Sequence, residues 1–205
     1  MKLNPAPNYM WFRSNNKIQE YHRAMIARHG EESSLALGWR ERADQLLRFE
    51  VLAQIGDMNG YTVLDAGCGY ADLYPFLKSR YPQISSYHGI DQVPEMIARA
   101  SERFPGINLQ QGDFMRKKLQ VCDYVLASGS LNYGQDIFPA IRKLYSACTI
   151  GLGFNLLREV NEGLLQAHDL NEIVAFAKIL APKVIWSDNY APEDFSVFLY
   201  HQPES

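Results

Sequence analysis

The chain has 205 residues, of which 47% are hydrophobic and 21% are charged, and its formal net charge at pH 7 is -3. These are ordinary values for a globular domain, and the length suits one domain with helices on both faces of a sheet. The slight acidity argues against a chain whose main partner is nucleic acid, because such domains carry an obvious basic excess.

The first 55 residues are predicted to form an N-terminal arm and a helical lid in front of the sheet. Residues 1–12 hold two prolines and an aromatic cluster, which favours an extended arm. Apolar residues at helical spacing then predict helices over 14–28 and 39–55, and Gly56 is well placed to end the second. A lid over the site is the hypothesis for residues 1–40, and static packing over one end of the sheet is the alternative.

Beyond residue 56, short apolar runs alternate with segments of helical period. Strands are predicted over 61–66, 86–90, 107–110, 122–127, 149–157, 184–186 and 195–200, and helices over 71–81, 94–104, 136–147 and 170–180. This alternation indicates an α/β fold with a doubly wound, mainly parallel sheet of seven strands. Too few residues separate the last two strands for a crossover helix, so we expect the last strand to be antiparallel. Residues 1–205 are taken as one domain with its core over 56–205.

The three cysteines stand in or beside apolar runs, at Cys68, Cys122 and Cys148. An odd number without paired spacing is typical of reduced thiols and not of a disulfide framework. No Cys/His cluster in the sequence has metal-ligand spacing, so we expect no metal. The N-terminus lacks the apolar stretch of a signal peptide, and no run approaches the roughly 18 apolar residues of a membrane span. We therefore expect a cytoplasmic protein without a membrane partner.

A glycine loop follows the first predicted strand, in the order Asp65-Ala66-Gly67-Cys68-Gly69. Glycine at such a turn permits a positive φ and lets a ligand approach the backbone closely. A dinucleotide would require a third glycine and a helix N-terminus aimed at its phosphates, but the corresponding position holds Asp72. S-adenosylmethionine has no phosphate and carries cationic ammonium and sulfonium groups, so Asp65 suits it better.

Four segments in order are similar to the motifs of class I S-adenosylmethionine-dependent methyltransferases. The glycine loop resembles the first motif, with Ala71 in place of the family's third glycine. The second, third and fourth motifs resemble 89–96, 111–114 and 122–128, which all lie at predicted strand ends. The resemblance covers about residues 45–201. It implies a Rossmann-like methyltransferase fold with S-adenosyl-L-methionine as the cofactor.

The resemblance and the position at strand ends make ten residues candidates for binding the cofactor. They are Asp65, Gly67, Cys68, Gly69, Asp91, Gln92, Asp113, Phe114, Ser128 and Arg48. By resemblance, Asp91 would accept hydrogen bonds from both ribose hydroxyls, and the alternative is that it caps the helix beginning at Pro94. Asp113 would bind the adenine amino group. Arg48 would reach the cofactor carboxylate, and a solvated arginine is its alternative.

Four further residues are candidates for the acceptor side of the site: Trp39, Asn132, Tyr133 and Asn155. Asn155 stands in an otherwise apolar strand, so a buried, hydrogen-bonded role is an equal alternative. The catalytic residues stay unknown, because no histidine has companion spacing that indicates a base. The reaction has little need of a general base, because the sulfonium methyl is already electrophilic. Aligning the acceptor with this methyl can by itself lower the activation barrier by about 7–11 kcal/mol.

The sequence therefore predicts S-adenosylmethionine-dependent methyl transfer to an acceptor that we expect to be a small molecule. A non-catalytic cofactor-binding subunit and a nucleic-acid-directed methyltransferase are the alternatives. The fourth predicted strand lacks the Asn/Asp-Pro-Pro-Tyr/Phe segment of amino-directed base methylases, which argues against the second alternative. Asp72 disfavours a nicotinamide-dependent oxidoreductase.

Overall fold

The fold is seen in a computed structural model that describes residues 8–30, 41–133, 136–160 and 164–202, with side chains from residue 17 onward. One sheet contains all seven strands: β1 (Thr62–Ala66), β2 (Ser86–Asp91), β3 (Asn108–Gln111), β4 (Cys122–Ala127), β5 (Cys148–Leu157), β6 (Lys183–Ser187) and β7 (Asp194–Tyr200). The helices are α1 (Asn8–His29), α2 (Arg42–Leu52), α3 (Leu73–Arg80), α4 (Pro94–Arg103), α5 (Ile137–Tyr145) and α6 (Leu170–Leu180).

The strand order is β3-β2-β1-β4-β5-β7-β6. Strands β1 to β5 pair in parallel, whereas β7 lies antiparallel between β5 and β6. The predicted doubly wound sheet and its antiparallel last strand are therefore confirmed. The chain winds outward in opposite directions from β1 and β4. The crevice at their carboxyl ends is the topological switch point, which is where such sheets bind ligands.

Both faces of the sheet are covered by helices, which explains why its central strands carry apolar residues on both faces. Along β4, Val125 and Ala127 belong to a core that includes residues of α5 and α6. The alternating residues Tyr124 and Leu126 belong to the opposite core, which includes residues of α2 and α3. Side chains on one strand point to alternate faces, so a single apolar run fills both cores.

The N-terminal segment differs from its prediction. We expected an extended arm over residues 1–12, but α1 already begins at Asn8. The two prolines that favoured an arm are Pro5 and Pro7, and both precede the helix, while residues 8–29 contain neither proline nor glycine. The second predicted helix ends in a 3-10 turn over Ala53–Ile55. None of the described helices combines the length and the apolar character needed to cross a bilayer.

At the amino ends of the strands, Asp123 joins three of them. Its Oδ2 accepts hydrogen bonds from the backbone N–H and the hydroxyl of Thr62, and its Oδ1 accepts one from the hydroxyl of Thr149. The starts of β1, β4 and β5 are thereby held together at the edge opposite the switch point. Burial raises the pKa of the Asp123 carboxyl, but the hydrogen bonds from Thr62 and Thr149 outweigh burial and lower it.

We expect Asp123→Ala to reduce the free energy of unfolding by about 1–3 kcal/mol at pH 7, because three donors lose a charged acceptor. The lowered pKa means that this stabilisation is present above the unfolded pKa of about 4 and is lost as the pH falls through the folded pKa. Urea unfolding of the wild type and the variant at pH 7 and pH 3 measures this. Thr149→Val removes one of the three bonds and should cost less. An equal stability difference at both pH values would contradict the role of the charge.

Candidate active site

A cavity of about 310 Å³ lies at the carboxyl ends of the central strands. Its walls come from the glycine loop after β1, from the segments that follow β2, β3, β4 and β5, and from helices α1 and α2. Such a volume is at the lower end of the range for small-molecule sites, and the position is the switch point of the sheet.

All ten residues predicted to bind the cofactor line this one cavity. They reach it from α2, from the glycine loop and from the ends of β2, β3 and β4, although 80 positions separate Arg48 from Ser128. The parallel sheet explains the convergence, because it brings the carboxyl ends of its strands to one edge. Their roles toward a ligand stay predictions.

The glycine loop adopts left-handed backbone at three positions. Gly67 has φ +80° and Gly69 has φ +52°, and a Cβ at Gly67 would lie 2.2 Å from the Cβ of Ser130. Ala71, which stands where the family motif has a third glycine, also has a positive φ, of 57°. The substitution therefore keeps the backbone conformation, at a cost to alanine of roughly 1–2 kcal/mol.

Asp91 connects the end of β2 to the glycine loop. Its Oδ2 accepts a hydrogen bond from the Gly69 N–H at 2.9 Å, and its Oδ1 accepts one from the Val93 N–H at 2.8 Å. The Val93 N–H that it accepts from belongs to the residue immediately before α4. A carboxylate can accept about four hydrogen bonds, so Asp91 keeps acceptor capacity toward the cavity. Burial raises its pKa, and the N–H groups of Val93 and Gly69 oppose this.

Asp65 is 2% exposed and lies at the base of the cavity. The hydroxyl of Tyr87, on β2, donates a short hydrogen bond to its Oδ2. Burial raises the pKa of Asp65 to about 7, the Tyr87 hydrogen bond opposes that shift, and the charges of Asp91 and Asp72 add to it. Tyr87 was not predicted from the sequence, since its partner is set by strand pairing and not by sequence spacing.

Carboxylates are the prevailing charged groups in the described wall of the cavity, although Asp72 pairs with Arg103 at 2.8 Å and Asp113 lies 3.8 Å from Arg116. Seven carboxylate residues line it: Asp44, Asp65, Asp72, Asp91, Asp113, Glu159 and Glu193. Arg48 is the single lysine or arginine among the described lining residues. Its Nε and Nη2 donate to the two carboxylate oxygens of buried Asp194, at 2.5 and 2.7 Å, so its charge is balanced by a residue behind the wall. This arrangement favours a cationic ligand.

Two buried polar atoms in the cavity wall have no hydrogen-bond partner among the described residues. They are the hydroxyl oxygen of Ser128 and Oε1 of Gln92. A buried acceptor without a partner costs about 1–3 kcal/mol, which a polar ligand in the cavity would recover. The charge of the wall, the left-handed glycine loop and these two atoms fit S-adenosylmethionine.

The four acceptor-side candidates are found in different places. Tyr133 and Asn132 line the cavity. The amide of Asn132 is engaged in the fold, since its Oδ1 accepts from the Leu157 N–H at 3.0 Å and its Nδ2 donates to the Gly129 carbonyl at 3.2 Å. Asn155 is absent from the cavity wall, and its Nδ2 donates to the Ser196 hydroxyl on the paired strand β7. Trp39 lies outside the described residues.

Helix α1 contributes a histidine to the cavity that was not among the predicted site residues. His22 is 7% exposed and lines the cavity, with its ring centroid 5.4 Å from that of Tyr133. Ile18, His22 and Ile26 are four residues apart, so they share one face of the helix, and this spacing was the available signal. The same helix is fastened to the loop after β2, where Gln19 Nε2 donates to the Gln92 carbonyl at 2.9 Å.

Sequence comparisons point to one class of protein. A family model for a methyltransferase domain matches residues 63–151. Trans-aconitate 2-methyltransferase of Klebsiella pneumoniae is 29% identical over 94 residues, which are 44% of this chain and 37% of that protein. Rv1506c of Mycobacterium tuberculosis, a protein assigned to the methyltransferases, is 30% identical over 121 residues, which are 54% of this chain and 71% of that protein. The chain thus spans little more than a third of the length of the Klebsiella protein.

Solved structures share the fold at low sequence identity. Magnesium protoporphyrin IX methyltransferase from Synechocystis, crystallised with S-adenosylmethionine, has a TM-score of 0.68 at 14% identity and covers 98% of this chain and 100% of its own. An S-adenosylmethionine-dependent methyltransferase from Aquifex aeolicus has a TM-score of 0.61 at 16% identity, with coverages of 79% and 94%. At these identities the likeness concerns the fold.

We expect Asp65→Asn to stabilise the protein when the cavity holds no ligand. The folded pKa of about 7 lies above the usual value of 3.8 for an aspartate. The protonated Asp65 carboxyl therefore makes its full contribution to the free energy of unfolding below about pH 4, and this contribution is lost as the pH rises through 7. Each unit by which the pKa is raised costs about 1.4 kcal/mol once the carboxyl is ionised.

Thermal unfolding at pH 4.5 and pH 8 tests this prediction. The Asp65→Asn variant should gain stability over the wild type at pH 8 and little at pH 4.5. Asp123→Asn is the matched control and should change stability in the opposite direction, because the pKa of that carboxyl is lowered. A destabilised Asp65→Asn protein at pH 8 would show that the ionised carboxylate is well accommodated without a ligand.

Proposed function

The chain belongs to the class I S-adenosylmethionine-dependent methyltransferases, and we propose that it transfers the cofactor's methyl group to a small-molecule acceptor bound in the cavity. One observation above all supports this proposal. The ten residues identified by resemblance surround a single cavity whose described wall is strongly acidic, and the cofactor's ammonium and sulfonium groups are cationic.

The residues around the cavity suggest how the cofactor would be held. Asp91 would accept hydrogen bonds from the ribose hydroxyls with the acceptor capacity that Gly69 and Val93 leave. Asp113 would bind the adenine amino group, and Asp65 would face the cationic methionine part. Gly69 lines the cavity without a side chain, so the loop backbone there would lie next to the ligand.

The cofactor supplies an electrophilic methyl group, so the protein's task is to position the acceptor and to exclude water. Helices α1 and α2 would form the roof for this purpose, with His22 and Arg48 in the wall of the cavity. Excluding water strengthens every electrostatic interaction inside the site. An acceptor atom that already carries a free lone pair needs no general base, so holding it in line with the methyl group can suffice.

The charge of the cavity favours a neutral or cationic small molecule as the acceptor. A nucleic acid would bring a polyanion to a wall that holds seven carboxylates, which is unfavourable. The Klebsiella relative is named for trans-aconitate, an anionic compound. The described wall offers one guanidinium, and Asp194 already balances it, so we do not extend that acceptor to this chain.

Calorimetry with S-adenosylmethionine, S-adenosylhomocysteine and NAD tests the cofactor. We expect micromolar binding of the two sulfur compounds, about -8 kcal/mol. Asp91→Ala should weaken that binding tenfold or more, because charge-assisted hydrogen bonds are worth roughly 1.5–3 kcal/mol each. Glu102→Ala, at an exposed position on α4, is the control and should bind like the wild type. Binding of NAD alone would contradict the proposed cofactor.

A turnover screen tests the acceptor class. The protein is incubated with S-adenosylmethionine and panels of small amines, small carboxylates, RNA and DNA, and release of S-adenosylhomocysteine is measured. We expect acceptor-dependent release with neutral or cationic small molecules. Release with nucleic acid alone would contradict the proposal. Cofactor binding without release on any panel would favour a non-catalytic subunit.

The lid hypothesis is tested by hydrogen exchange with and without S-adenosylhomocysteine. If α1 closes over the site, exchange across its residues should slow on binding, because Ile18 and His22 would pack against the ligand. The strand interior at 122–127 serves as the reference and should change little. Slower exchange in the glycine loop beside unchanged exchange in α1 would leave the helix as static packing.

A further inference from the structure

Tyr87 contacts Asp65 from beneath the cavity, without lining it. It lies opposite Val63 in the pairing of β1 with β2, and its hydroxyl donates to Oδ2 of Asp65. The side chain is fixed in place, since Tyr87 is 3% exposed and its ring centroid is 5.1 Å from that of Tyr74 on α3. Phe104 packs against Tyr74 in turn, at 5.4 Å. The hydroxyl therefore has a fixed position below the carboxylate.

The two oxygens of Asp65 have different surroundings. Oδ2 accepts the Tyr87 hydrogen bond, and the structure shows no hydrogen bond to Oδ1 from any described residue. Asp65 is part of the cavity wall. A donor on Oδ2 fixes the orientation of the carboxylate, so that Oδ1 is the oxygen available to a ligand.

Four groups face Asp65 from the elements around it. Asp91 stands at the end of β2, Asp72 precedes α3, Cys68 lies in the glycine loop and Tyr87 comes from β2. Burial raises the pKa of Asp65 most, and the charges of Asp91 and Asp72 raise it further. The Tyr87 hydrogen bond is the one influence in this set that favours the ionised carboxyl. Burial also raises the pKa of Tyr87 well above its usual range, so the phenol remains a donor.

We propose that Tyr87 is a positioning residue for cofactor binding, which favours the ionised form of Asp65 and turns its Oδ1 toward the cationic methionine part of the cofactor. The inference rests on the proposed function, because it takes S-adenosylmethionine as the ligand. Tyr87 itself touches neither the cofactor nor the acceptor, since it is absent from the cavity wall. Its effect passes through the charge of one carboxylate.

The consequence is a pH-dependent affinity. A cation in the cavity favours ionised Asp65, so affinity should rise as the pH increases through the pKa of about 7. Without the phenolic donor that pKa rises, and the steep part of the affinity curve moves to higher pH. One pKa unit corresponds to a tenfold change in affinity at a pH below both values.

The test measures the dissociation constant of S-adenosylhomocysteine between pH 6 and pH 9 for the wild type and Tyr87→Phe. We expect the variant to bind about tenfold more weakly at pH 6, which lies below both pKa values, and to approach wild-type affinity at pH 9. 5′-Methylthioadenosine lacks the ammonium group, so its affinity should change little with the substitution. Tyr124→Phe is the matched control: it removes the hydroxyl of another buried tyrosine, in the same core and outside the cavity wall. It should bind like the wild type at every pH.

Asp65→Asn supplies a second measurement that does not depend on the Tyr87 variant. The pH dependence of wild-type affinity between pH 6 and pH 8 should disappear in Asp65→Asn, and adding Tyr87→Phe to it should cost no further affinity. An equal loss at all pH values in Tyr87→Phe, or no loss at any, would overturn the role of Tyr87. Failure of the wild type to bind either sulfur compound would instead overturn the proposed function.

Discussion

The cavity depends on hydrogen bonds that attach the glycine loop to the end of the second strand. The N–H groups of Gly67 and Cys68 donate to the Ile90 carbonyl at 2.7 and 3.1 Å, and the Gly69 N–H donates to Asp91. These bonds fix three successive loop residues to β2, so the left-handed conformations are held by tertiary contacts. They also place Asp91 and Asp65 at one edge of the cavity. Without these hydrogen bonds the strand ends would still lie at one edge of the sheet, but the glycine loop would not enclose a cavity there.

The two edges of the sheet are built from carboxylates in opposite ways. Asp123 at the amino ends is surrounded by hydroxyl and N–H donors, so its charge contributes to the stability of the strands. Asp65 at the carboxyl ends is buried beside Asp91 and Asp72, so its charge opposes folding until a cation arrives. The apolar cores on the two faces compensate for that unfavourable burial. Binding a cation thus offsets the cost of burying this charge.

The sequence was informative where a residue's place follows from the strand that carries it. Asp65, Asp91 and Asp113 stand at or just beyond the carboxyl ends of β1, β2 and β3, so parallel pairing brings them to one edge. It was less informative where a partner comes from an element distant in sequence. The Arg48–Asp194 ion pair spans 146 positions, and the place of Asn155 depends on pairing with β7. His22 required knowing that α1 crosses the cavity, and the role of Trp39 stays a prediction.

The first and third glycine positions of the loop, held by Gly67 and Ala71, are subject to different physical constraints. At Gly67 the neighbouring Ser130 leaves no room for any Cβ, so the requirement there is steric. At Ala71 the backbone is left-handed, yet the methyl group is fully buried in the core beneath the loop, so the requirement there is torsional. A methyl can satisfy a torsional requirement at a modest cost, whereas no side chain can satisfy a steric one. Among proteins that share this loop, substitutions should therefore be more frequent at the third glycine position than at the first. A sequence pattern that requires all three glycines would miss the proteins in which the third is substituted.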